Sequence, residues 1–155
     1  MKHILTILSA LLIASCSSSP SGNESAAPPG KVETPATLEE IEKSFEKYKG
    51  VGPVSEVEVG DEIDQTLADE GKVIFEAKCT ACHKTDKRFI GPGLKGITER
   101  RTPEWTMNMI LNPEKMTQED PIGKLLLIEY NGSPMANQNL TEEEARKVFE
   151  YFRTL

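Results

Sequence analysis

Histidine is almost missing from this chain. Its 155 residues contain two, His3 and His83, and His3 lies in a segment with the layout of a removable leader. A mature chain with one imidazole cannot form a Cys2His2 zinc site or hold a metal between two histidines. A Ser–His or Cys–His catalytic pair would have to use His83 itself. Cysteine is scarce too: Cys16, Cys79 and Cys82 are the whole complement, and Trp105 is the single tryptophan. Apolar residues make up 37% of the chain, which supports one modest core and not two. Positive charge is also in deficit. The formal charge of −7 argues against a nucleic-acid partner, because such proteins are ordinarily basic.

What the chain does have is Cys79-Thr80-Ala81-Cys82-His83. Cys, two spacers, Cys and then His is the attachment pattern for a c-type haem. Two thiols at this spacing add to the two vinyl groups of one porphyrin, and the next residue brings an imidazole under the iron as proximal ligand. A Cys-x-x-Cys pair also serves as a redox dithiol or as half of a zinc site. The histidine census removes the zinc reading, and the dithiol reading lacks a thioredoxin-like strand pattern around it. From Lys72 to Arg101 there are eight Lys or Arg against three acids, a basic island on an acidic protein. Two readings of that island stand: ordinary solvated surface, and a patch that steers acidic partners.

The first 15 residues combine a basic start, Lys2, with an apolar run from Ile4 to Ala14. That is the layout of a secretory signal, too short for an ordinary transmembrane helix. Ile13-Ala14-Ser15-Cys16 looks like a bacterial lipobox, which implies that Cys16 becomes the lipidated mature N-terminus outside the cytoplasm. Two or more acyl chains give stable anchoring where one is marginal. The Ser-, Pro-, Gly- and Ala-rich stretch 16–36 cannot bury a core and reads as a flexible tether reaching on the order of 25 Å. On this reading Cys16 takes lipid, Cys79 and Cys82 take haem, and no thiol remains for a disulfide.

Helix signals fill most of the remainder. Thr37 and Glu40 fit a capping box, and Leu38, Ile41, Phe45 and Tyr48 recur at helical spacing, predicting a helix over 38–49 within an N-terminal segment 37–62. This helix is expected to dock within the chain. Residues 54–59 read as extended, and a second helix is expected over 63–78, entering the haem motif. Thr102-Pro103 opens a third, to Leu111, and Asp120-Pro121 a fourth, to Tyr130. Thr141 and Glu144 form a capping box for a final helix reaching Leu155.

Two stretches resemble small class I cytochromes c. Gly71 to His83 is similar to the family's first helix and haem motif, in which a Gly and an aromatic four residues later pack on the last helix; Gly71 and Phe75 match. Gly91-Pro92-Gly93-Leu94 resembles the loop whose proline carbonyl accepts from the proximal His ring, which makes Pro92 the matching residue. Asn131 to Thr141 resembles the axial-methionine loop. With no second His, the distal ligand is Met, Lys, water or nothing. Met107 and Met109 read as core packing in the third helix, Met116 sits in a polar loop and stays a candidate, and Met135 matches the family's position. The resemblance covers about 63–155 and implies an all-α cytochrome c fold around one covalent haem c. It implies His83 and Met135 as axial ligands and one-electron transfer between respiratory partner proteins, with no reaction of the protein's own. In parts of the family a Trp packs near the haem edge and donates to a propionate; for Trp105 that role and plain core packing both stand. Arg100 and Arg101 either offset propionate charge or are solvated. The rival function is a haem-based ligand sensor or catalyst with a labile sixth site.

Overall fold

Gly71 is where the two longest helices meet. The computed structural model describes residues 37–155; the expected leader, lipidated Cys16 and tether lie outside them. Among the described residues the regular structure is helical throughout: α1 (Leu38–Glu42), α2 (Gln65–Lys78), α3 (Pro103–Leu111), α4 (Pro113–Glu119), α5 (Pro121–Glu129) and α6 (Glu142–Phe152), with 3-10 turns at Phe45–Lys47 and Ile97–Glu99. Helices α2 and α6 form the most extensive contact between elements. A Cβ placed on Gly71 would lie 1.9 Å from the Lys147 carbonyl oxygen, so only glycine permits this approach.

Around that crossing, Phe75, Val148, Phe149 and Phe152 form the main core with Leu94, Met107 and Ile110. Phe75 meets Phe152 edge-on at 5.8 Å between ring centroids and Tyr151 at 5.4 Å, pairs worth about 0.5–1.5 kcal/mol each beyond their burial. The base of α6 carries a buried charge. Glu150, 0% exposed, binds Arg146 on its own helix and Arg153 at that helix's C-cap, and accepts the Asp64 backbone N–H at 2.8 Å. Arg153 continues the tie, donating to the carbonyls of Gly60 (2.7 Å), Asp61 (3.1 Å) and Glu62 (3.2 Å). A second cluster, Ile41, Trp105, Met116 and Ile122, packs α1 on α3, α4 and α5.

Several readings depart from expectation, and the last helix ends at Phe152 rather than reaching Leu155. The helix predicted over 38–49 ends at Glu42, because Tyr48, Lys49 and Val51 spend backbone groups on α3 and α4 instead of on a helix. The second helix starts at Gln65, since Asp64 is its N-cap and accepts from Leu67 N–H. Met116, expected in a polar loop, lies on α4, which Asn112 caps and Pro113 opens.

Candidate functional site

The haem motif continues α2 for one more turn. Cys82 N–H and His83 N–H both donate to Cys79 O, at 3.1 and 2.9 Å. Spacings i, i+3 and i+4 therefore place Cys79, Cys82 and His83 on one face. That face lines an apolar cavity of about 340 Å³, within the range of small-molecule sites.

The imidazole is held in one orientation. His83 Nδ1 donates to Pro92 O at 3.0 Å, a tautomer assigned from this bond, which leaves Nε2 unprotonated and available as a ligand. A Cβ on Gly91 would lie 2.6 Å from His83 Cε1, so the loop cradles the ring at a residue without a side chain. Gly91 N–H donates to Cys82 O at 2.8 Å, and Leu94 and Lys95 both donate to Thr85 O, at 3.0 and 2.7 Å, closing the loop back on the motif.

Cys79 and Cys82 are not joined in a disulfide. Burial pushes the Cys79 thiol up to about 11, with the Cys82 charge adding to the effect. A reactive dithiol needs the opposite, a thiolate favoured near neutral pH.

Of the four methionines among the described residues, two face the cavity. Met135 reaches it from the 131–140 loop. Gly132 N–H donates to Leu127 O at 2.7 Å and turns the chain through left-handed conformations at Asn131 and Gly132. Asn137 Nδ2 ties the loop to Leu111 O at 3.2 Å. Met109 lines the cavity from α3, where core packing was expected. Met107 lies in the main core, and Met116 is fully buried in the second cluster, its Sδ accepting from Val51 N–H at 3.0 Å.

Trp105 lines the cavity and is buried. Its indole N–H donates to Asp120 Oδ1 at 2.9 Å, so that donor is committed to the N-cap of α5 and not to a propionate. Asp120 also accepts Gly123 N–H at 2.8 Å. Arg100 and Arg101 both line the cavity. Arg101 is buried with its guanidinium 5.2 Å from the Trp105 ring centre, and Arg100 donates to Lys95 O. The donor set fits a haem: two thiols, an oriented imidazole and two thioethers in one mostly apolar lining, with two guanidinium groups that match anionic substituents.

Comparisons with known proteins agree with this site. Residues 68–155 match the family described as Cytochrome c. Cytochrome c-551 of Stutzerimonas stutzeri is 30% identical over 97 residues, covering 57% of this chain and 80% of that protein. Among solved structures, a cytochrome c from Rhodothermus marinus is 48% identical with a TM-score of 0.64, over 66% of this chain and 88% of that one. An engineered cytochrome c from the same organism, bound to a carbene intermediate, is 43% identical with a TM-score of 0.62, over 76% and 96%.

Proposed function

Because the chain belongs to the cytochrome c family and haem c is the covalent cofactor of that family, we propose that it is a lipid-anchored carrier of single electrons between respiratory partner proteins. Residues 1–15 are the leader, Cys16 bears the lipid outside the cytoplasm, 16–36 are the tether, and 63–155 hold the haem. No described helix is long and apolar enough to cross a membrane; in this reading attachment is through the lipid on Cys16.

Cys79 and Cys82 would form the thioethers that attach the haem, and His83 and Met135 would be the protein ligands to its iron. When bound, the haem supplies a one-electron iron couple whose potential is raised by His/Met ligation. Pro92 accepts from His83 Nδ1 and so leaves Nε2 as the ring nitrogen that would ligate the iron. The apolar walls exclude water, so little rearranges when the charge changes. The observation that carries the reading is the cavity itself, which has the oriented His83 and Met135 in its lining. The basic segment supports docking on acidic surfaces. Such steering weakens with salt, so partner oxidation that ignores ionic strength would count against it.

The ferric absorption spectrum of Met135→Ala tests the ligand set. Loss of the Met-to-iron charge-transfer band is expected. An unchanged band moves the ligand to Met109, the other methionine on the cavity. One observation favours the rival reading of a labile sixth site: the engineered relative bound to a carbene intermediate. Rapid carbon monoxide binding by the ferrous wild type at neutral pH would support that rival.

A further inference from the structure

Residues 37–54 lie outside the stretch matched to the family and carry none of the groups assigned above. They are nevertheless fastened closely to the helices behind the cavity. Thr102 Oγ1 donates to Tyr48 O at 2.8 Å, and Lys49 Nζ pairs with Glu104 at 3.0 Å. Val51 N–H donates to Met116 Sδ at 3.0 Å. Asn108, 1% exposed, makes three bonds: Nδ2 donates to Lys49 O (3.0 Å) and Val54 O (2.8 Å), and Oδ1 accepts from Val54 N–H (3.0 Å). The approach is so close that a Cβ on Gly52 would lie 2.3 Å from Asn108 Oδ1.

At its N-terminal end this strap reaches the cavity. Leu38 contributes to the lining. Ile41 is buried with Trp105, Met116 and Ile122, and Leu38, Met109 and Leu126 pack on that cluster. Trp105, Met109 and Leu126 therefore line the cavity and share one packed cluster with Ile41 and Leu38 of the strap. Helix α1 contacts α5, and α5 runs directly into the loop that bears Met135. Most residues of that loop are exposed. With little core of its own, the loop depends for its position on its ends: the helix it leaves, and the Asn137 tie to Leu111 with Leu140 packed on the main core.

We infer that residues 37–54 are a brace for Met135, with Leu38 as the positioning residue at its end. The strap holds α5, and α5 sets where the Met135 loop begins. This inference rests on the His83/Met135 reading proposed above. Loosening the brace raises the fraction of molecules in which Met135 has left the iron, and a competing ligand gains apparent affinity in proportion to that fraction. Leu38 is the informative position because it is only half-buried, so its truncation leaves the second cluster's buried members in place.

The test is an imidazole titration of the full-length ferric holoprotein, followed by haem absorption. Leu38→Ala is expected to tighten imidazole binding about tenfold, Ile41→Ala at least as much, and Leu38→Met to stay within about twofold of wild type. Lys43→Ala, on the exposed side of α1, should change nothing. Haem content and helical circular dichroism of Leu38→Ala should match wild type, which separates bracing from folding. If Ile41→Ala does not fold, Leu38→Ala alone decides. Wild-type affinity in Leu38→Ala, alongside a Met135→Ala protein that has lost its charge-transfer band, overturns the brace and leaves the ligand assignment standing. A Met135→Ala protein that keeps the band removes the ligand assignment itself, so the two failures are distinct.

Discussion

Replacing Glu150 by Gln should unlock the base of α6 without changing its shape. The carboxylate is fully buried, bound by Arg146 and Arg153 and by the Asp64 backbone N–H. Removing one partner of a buried ion pair costs about 3–5 kcal/mol. Two features reduce that here. The side chains of Arg146 and Arg153 are 22% and 14% exposed, so water recovers part of their solvation, and a Gln oxygen still accepts from Asp64. The expected loss is about 2–3 kcal/mol, or roughly 8–12 °C in Tm for a domain of this size. Acid sensitivity gives an independent check. Burial by itself would raise the Glu150 pKa, but the hydrogen bonds from Arg146 and Asp64 and the charges of Arg146 and Arg153 outweigh it and hold the group below its usual 4.5. A carboxyl depressed in the folded state contributes stability above its unfolded value, and that contribution is lost as pH falls through the folded one. Wild type should therefore lose its advantage over Glu150→Gln as pH falls below about 4.5. Guanidinium unfolding of both holoproteins, at neutral and acid pH, measures this. A neutral-pH difference below about 0.5 kcal/mol, or a gap that does not change with pH, would refute the reasoning.

Gly71→Ala should destabilise despite alanine's helix propensity. The propensity gain is about 1 kcal/mol, but the new Cβ meets the Lys147 carbonyl at 1.9 Å, and forcing two backbones apart costs more. A net loss of about 2 kcal/mol by chemical denaturation is expected, and a neutral result would mean that the helices do not cross at Gly71. Trp105→Phe removes the indole donor to Asp120 and should cost about 1–2 kcal/mol while leaving the midpoint potential near wild type. A large potential shift with unchanged stability would instead place the indole N–H on the cofactor.

The haem wall was legible because its chemistry is local: five consecutive residues hold both thiols and the imidazole, and a capping box marks the start of α6. Pro92 and Met135 came from family resemblance, and the cavity brings them together with the motif. Helix α4 was missed although Asn112-Pro113 repeats the cap-and-proline pattern of Thr102-Pro103 and Asp120-Pro121. Its one large apolar side chain, Met116, gave no periodicity to read, whereas the cap alone marked the start. The 38–49 periodicity overran because it carries no information about Asn108 or Met116, which lie more than 50 residues away and compete for that segment's backbone. The link from Trp105 to Asp120 was equally hidden, since nothing in the sequence pairs an indole with the N-cap of a helix two elements on.

The α2–α6 crossing also sets the order in which the molecule is completed. Its two sides, on α2 and α6, are separated by about 70 residues of sequence. Contacts between such distant segments form late, because loop closure precedes any gain from packing. Until the crossing closes, Phe75 has no ring partner from α6. The Cys79 and Cys82 thiols hang from a helix with nothing to pack against, and the cavity wall contributed by the Met135 loop does not yet exist. Covalent attachment of the cofactor can therefore occur on an open chain, with the last eleven-residue helix closing over a job already done.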